Sequence, residues 1–310
     1  MKPVPALSAL AIAVFGATLA VPAGAETLIG LTTTNQLVMF DSMSPAMASP
    51  LMTITGLAAN ERILGIDHRP TTGLLYGIGS ASNLYTLDAA TGNATLVAAL
   101  MADPSDTTQP FAGFLGTSYG VDFNPVPDLG MALPSLRVTS NVGENLRINV
   151  NGANAGRVFT DTALSIPAGG TPTIVASAYT NNDVDPTTGT ALFNIDSASD
   201  SLFQQTNPNG GTLTLIGGLG VGTTGVVGFD VSRSGTAFAS LTDDLTGKSS
   251  VYTVNLATGS ASLLGEFGIG GNTAIAPALA DIAAPVPEPS TYLMMALGLA
   301  GMGLVARRRV

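Results

Sequence analysis

The sequence contains no cysteine, no tryptophan, a single histidine and only 10% charged residues. Without cysteine there is no disulfide scaffold, no thiol nucleophile and no thiolate metal site. Stability must then come from the core alone, a pattern compatible with an exported bacterial protein. Long stretches of helical apolar period are missing between the two ends of the chain. Basic residues are scarce as well. Positions 26 to 284 hold 20 Asp/Glu against 7 Lys/Arg, a formal charge of −13. No basic patch could release counterions from phosphates at that balance, which argues against a nucleic-acid partner.

What is abundant is chain punctuation. The 37 Gly and 19 Pro, with many Thr, Asn and Ser, interrupt nearly every apolar run. These residues favour turns for separate steric reasons, so the chain reads as short strands joined by tight turns.

Two pairs of stretches align without gaps and set the architecture. "LIGLTTTNQLVMFD" (Leu28 to Asp41) lies over "LYGIGSASNLYTLD" (Leu75 to Asp88). "VYTVNLATGSASLL" (Val251 to Leu264) lies over "LYTLDAATGNATLV" (Leu84 to Val97). A further strand with Asp precedes each unit in "LGIDHRP", "YGVDFNP" and "VGFDVSR", which carry Asp67, Asp122 and Asp230. A more diverged copy includes "TIVASAYTNND" and an Asn-Gly hairpin signal in "NPNGG". Each unit therefore holds four short strands, which bury their faces only by stacking around an axis. The first unit lacks its Asp-bearing strand, and "LADIAAP" (Leu279 to Pro285) supplies one at the far end of the domain. The expectation is an all-β, five-bladed β-propeller over residues 26–284, closed by pairing of N- and C-terminal strands. A β-sandwich or linear solenoid would not split one unit between the two ends.

Both ends read as processing segments. The N-terminus has Lys2, an apolar run from Ala6 to Ala20, and a small-residue cleavage site at Ala23-Gly24-Ala25. Residues 1–25 form a predicted signal peptide, cut before Glu26 by signal peptidase. The C-terminus, residues 285–310, carries Pro287-Glu288-Pro289, an apolar run from Thr291 to Ala306, and Arg307, Arg308 and Arg309. As a helix, Thr291 to Ala306 spans about 24 Å, short of a hydrocarbon core of roughly 30 Å. Local thinning and snorkelling arginines still allow a single transmembrane helix, with the arginines cytoplasmic and the propeller outside.

Candidate chemistry is sparse. His68 follows Asp67, yet Phe123 and Val231 fill its place in the sister units, and no nucleophile elbow accompanies it. Asp67, Asp122, Asp230 and Asp281 recur at a strand position. Recurrence favours a structural role, accepting N–H bonds in the adjacent turn; the alternative is a carboxylate ring holding a cation near the channel. "TNNDVDPTTG" gathers Asn181, Asn182, Asp183 and Asp185, oxygen donors of the kind Ca²⁺ takes, on what is more simply a solvated turn. Asp243 and Asp244 in "LTDDLTG" form a weaker candidate of the same kind. Arg137 and Arg147, on neighbouring strands, suit either a carboxylate or acidic-sugar ligand or a pairing with blade aspartates. The Gly-rich Gly217 to Gly225 lacks a following Lys-Ser/Thr and reads as an inter-blade linker.

Two resemblances follow from these residues. The tail, with Pro287, Glu288 and Pro289 ahead of the apolar run and the arginines, resembles the sorting tail of PEP-CTERM proteins. That resemblance implies recognition by an exosortase, an inner-membrane-anchored precursor, and delivery to the cell surface or exterior of an exopolysaccharide-making bacterium. The body resembles the family called domain of unknown function 4394, on "GVDFNP", "LRVTSNVGENLRINV", "YTNND" and "LFQQTNPNGGTLTLIGGLG". No activity or ligand comes with it. The leading expectation is a non-catalytic binding or structural role in the exopolysaccharide matrix. The alternatives are a metal-assisted hydrolase acting at the propeller channel and a permanently anchored inner-membrane protein.

Overall fold

The computed structural model describes residues 24–130 and 133–286. Apolar runs between Gly, Asn and Asp turns become strands that form five sheets. The first contains β1 (Thr27–Thr32), β2 (Gln36–Asp41) and β3 (Met52–Thr53). The second is β4 (Ile63–His68), β5 (Leu75–Gly79), β6 (Asn83–Leu87) and β7 (Ala94–Ala99). After it, β8 (Met101–Ala102) pairs in parallel with a strand of the third sheet. That sheet is β9 (Tyr119–Phe123), β10 (Leu136–Ser140), β11 (Asn145–Ile148) and β12 (Arg157–Thr160). Between β9 and β10 lies a single helical turn, α1 (Pro125–Asp128). The fourth sheet is β13 (Ile174–Tyr179), β14 (Leu192–Asp196), β15 (Ser201–Asn207) and β16 (Thr212–Gly218). The fifth is β17 (Val227–Val231), β18 (Ala237–Thr242), β19 (Ser249–Val254) and β20 (Ala261–Glu266).

The last strand, β21 (Leu279–Ala283), returns to the first sheet and pairs antiparallel with β1, Gly30 facing Ile282. The first blade is thus built from both ends of the domain, as the split unit in the sequence predicts. Inner strands β21, β4, β9, β13 and β17 touch in a closed cycle, giving a five-bladed propeller without a free inner edge. Val286, two residues past the expected boundary at 284, is buried. No helix among the described residues is long and apolar enough to cross a membrane. The signal segment up to Ala23, the motif Pro287 to Pro289 and the tail arginines lie outside the described residues.

Burial explains the sequence pattern. Inner strands β4, β9, β13 and β17 are buried along their whole length, whereas the outer strands β7, β16 and β20 are mostly exposed or half-buried. The core accordingly lies between blades. Tyr76 and Ile78 of the second blade pack on Val121 and Phe123 of the third, and Val175 of the fourth packs with Phe229 of the fifth. The joint between third and fourth blades is different, with a small apolar cluster around Ile174 and Phe203 beside a polar network.

Hairpin glycines tie the rim. Gly92, Gly156, Gly211 and Gly259 all have positive φ, and a Cβ on each would meet a carbonyl oxygen of the preceding blade's outer region at 2.3–2.4 Å. The oxygens are those of Thr53, Ala99, Ala163 and Gly217. Only glycine permits that approach in a left-handed turn. The gapless alignment holds at this detail: Asn35 (φ 60) and Ser82 (φ 62) occupy matching turns, as do Gly92 and Gly259.

Candidate functional site

The recurrent aspartates lie at the axis, and their bonds run between blades. Asp67 Oδ2 accepts the Phe123 N–H at 2.7 Å, joining the second blade to the third. Asp122 Oδ1 accepts from Tyr179 at 3.0 Å, joining third to fourth. Asp230 Oδ2 accepts from Ala284 at 2.5 Å, joining fifth to first, and Asp281 Oδ2 accepts from Ile66 at 2.9 Å, joining first to second. The fourth blade carries Ser177 on its inner strand, hydrogen-bonded to Thr139 and Asn194. Its tie to the fifth is the Asn182 amide, which donates to the Val231 carbonyl at 2.8 Å. The sequence expectation placed the acceptors' partners in the adjacent turn; the structure places them on the next inner strand. Inner edges of a closed ring have N–H groups that no fifth strand satisfies, and the aspartates take that place.

These carboxyls are buried. Burial pushes Asp67 well above the usual carboxylate range, with the neighbouring Asp230 charge adding to it. Burial does the same at Asp122, reinforced by Asp67, and at Asp281. Asp230 is pushed up to about 6, again by burial first. One oxygen each from Asp67, Asp122 and Asp230 lies within 4.8 Å of the others.

His68 does not form a catalytic pair with Asp67. Asp67 Oδ1 takes the His68 backbone N–H at 2.6 Å, while the ring Nδ1 faces the Gly73 carbonyl at 3.0 Å. Burial lowers the imidazole pKa. The loop of Asn181, Asp183 and Asp185 is occupied with its own turn. Asp183 Oδ1 accepts from the Asp185 N–H and Thr188 hydroxyl, Asp185 Oδ1 from Thr187, and the Asn181 amide donates to Gly189. Asp243 likewise caps Leu245 and Thr246. Of the segment Gly217 to Gly225, the first two glycines end β16 and the rest leads toward β17 as a linker.

Arg137 and Arg147, set opposite each other on β10 and β11, converge on a third residue. Arg147 Nε and Nη2 hold Asp161 bidentately at 2.7 and 2.8 Å, and Arg137 Nη1 reaches the same carboxylate at 2.8 Å. Arg137 also donates to Tyr179, Asn145 and Asn209. Asn209 sits in the "NPNGG" hairpin, whose Pro208 carbonyl accepts from Asn145 and Gln205. Both arginines, Tyr179, Asn207 and Asn209 line a pocket of about 330 Å³. Two guanidinium groups on one carboxylate leave surplus positive charge at its wall. Arg147 stays accessible, with 28% of its side chain exposed and its guanidinium over the Phe159 ring.

Sequence reasoning missed Asp161 and Asn145, whose residue types alone mark nothing. It also missed Asp128. That residue is fully buried at the end of α1, where it holds Arg69 at 2.7 Å, Thr71 and Ser135.

Comparison with known proteins adds the following. Among solved structures, a nidogen/laminin complex chain is similar at 13% identity and a TM-score of 0.46, covering 85% of this chain and 99% of that one. A structural genomics protein of unknown function from Bacteroides thetaiotaomicron is similar at 13% identity and a TM-score of 0.47, covering 86% and 66%. No curated protein matches. A PEP-CTERM protein-sorting motif, which directs exosortase-dependent sorting to the cell exterior, matches residues 285–309. The model of the domain of unknown function DUF4394 matches residues 36–280, and this chain belongs to that family.

Proposed function

We propose that this chain is a non-catalytic matrix protein, delivered to the surface or exterior by its sorting motif, where its propeller binds acidic exopolysaccharide. Signal peptidase removes residues 1–25, and the tail anchors the precursor in the inner membrane until the exosortase acts. The observation that carries the binding role is the pocket between the third and fourth blades. In a domain with a formal charge of −13, it presents two guanidinium groups against one carboxylate, with Asn207, Asn209 and the Tyr179 ring beside them. Guanidinium forks suit the carboxylates of hexuronic sugars, and amide side chains suit their hydroxyls. A metal-assisted hydrolase needs an ion open to substrate, and the axial aspartates are at most 2% exposed.

Titration of the protein with hexuronate oligosaccharides tests this reading, read by calorimetry alongside a neutral glucan control. Saturable binding of the acidic oligomer, weakened about tenfold or more by Arg147→Gln, is expected. A null strain should show altered matrix composition or adhesion. Absence of oligomer binding together with an unchanged matrix would leave the reading without support.

A further inference from the structure

Asp67, Asp122 and Asp230 reach the axis from the second, third and fifth blades, and one oxygen of each lies within 4.8 Å of the other two. Their backbone donors are His68 and Phe123 on Asp67, Tyr179 on Asp122, and Ala284 and Val231 on Asp230. Two oxygens remain without a hydrogen-bond partner, Asp122 Oδ2 and Asp230 Oδ1, on side chains that are each 1% exposed. The two carboxylates lie within hydrogen-bonding reach of each other, yet neither carries a donor when ionised. Burying such oxygens without a partner is costly, and burying several like charges together costs more.

Nearby cationic side chains are directed elsewhere. Arg69 is held by Asp128 and Arg137 by Asp161, while the His68 ring faces the Gly73 carbonyl. The remaining inner strand that contributes an acid, β21, brings Asp281, a further negative group. The donor set is oxygen alone, which suits hard cations over zinc or copper. Its spacing also fits, because two Ca²⁺–O bonds of about 2.3–2.6 Å span up to about 5 Å.

We propose that the propeller axis holds one structural Ca²⁺ ion between Asp67, Asp122 and Asp230. The ion bridges three blades at their inner strands and satisfies the two orphaned oxygens. This site is separate from the arginine pocket and does not depend on saccharide binding. It is also distinct from the exposed loop of Asp183 and Asp185, whose carboxylates cap their own turn. Millimolar affinity would suffice outside the cell, where extracellular modules bind Ca²⁺ at about 10⁻⁴–10⁻³ M.

The test uses protein purified from its host, stripped with chelator and titrated with CaCl₂, with MgCl₂ in parallel. Native mass spectrometry counts bound ions, and thermal melting follows the stabilisation. One Ca²⁺ per chain and a rise of the melting midpoint with CaCl₂ are expected. Asp122→Asn keeps an oxygen for the Tyr179 N–H and adds an amide able to donate to Asp230. It should fold and bind Ca²⁺ more than about tenfold more weakly. Asp230→Asn probes the same site from the fifth blade, and Asp185→Asn in the loop should leave binding intact. A wild-type protein that takes up no Ca²⁺ overturns the proposal. So does an ion that survives both axial variants, or one lost with Asp185→Asn.

Discussion

Asp230 Oδ2 accepts the backbone N–H of Ala284 across 2.5 Å, binding the inner strand of the fifth blade to the strand that closes the first. The bond lies two residues before Val286, the last described residue of the domain. Asp230→Ala strips a buried N–H of its partner, at a cost of about 1–3 kcal/mol. At pH 5 that loss should appear in full in denaturant titration. In chelator at pH 7.5 it should shrink, because the substitution also removes a charge from the axial cluster. Asp230→Asn keeps an acceptor and should be nearly neutral at pH 5.

The same cluster sets a pH dependence. A carboxyl whose pKa rises on folding stabilises the folded state fully below its unfolded value, 3.8, and stops doing so as pH climbs through the folded value. For Asp230 that value is about 6, and Asp67, Asp122 and Asp281 are raised as well. Exposed acids with lowered values, such as Asp88 and Asp243, are ionised in both states above pH 5 and contribute no slope there. Chelated protein should therefore melt at a higher temperature at pH 5 than at pH 7.5. A midpoint that rises steadily from pH 5 to 7.5 in chelator would contradict the burial of these groups.

Rim glycines give a test of blade-to-blade packing. Gly211 has φ 68, and a Cβ there would meet the Ala163 oxygen at 2.3 Å; Gly189 has φ 66 and open space around it. Gly189→Ala should cost only the left-handed backbone term, about 1–2 kcal/mol. Gly211→Ala adds displacement of a neighbouring carbonyl and should cost about 2–4 kcal/mol. Equal losses in urea titrations would mean that the hairpin does not press on the third blade.

Asp128→Ala removes the buried partner of Arg69 and should destabilise by about 3–5 kcal/mol. The apolar double variant Arg69→Met/Asp128→Leu should cost less than the single change, since no unpaired charge remains. Chemical denaturation of both variants checks the ordering.

The composite blade was legible because the first unit lacks its Asp-bearing strand and Leu279 to Pro285 supplies one, and the aligned turn positions Asn35 and Ser82 share a left-handed backbone. The axial aspartates were legible as positions only. Their partners belong to other blades, and a single strand gives no sign of which edge it will face across the ring. The arginine pocket shows the same limit. Arg137 and Arg147 stood out, but Asp161 and the "NPNGG" hairpin that complete it lie 14 to 72 residues away. Strand β8 was missed because two residues in a linker carry no periodicity.

The most direct test of the account is the intact mass of the protein isolated from its host, compared with that from a strain lacking the exosortase. The sorting motif matches residues 285–309, after the strand β21 (Leu279–Ala283) that closes the first blade. Wild-type protein should begin at Glu26 and lack residues beyond the Pro287-Glu288-Pro289 motif, and mutant-strain protein should keep the tail through Val310. Identical masses with the tail retained in both strains would contradict it.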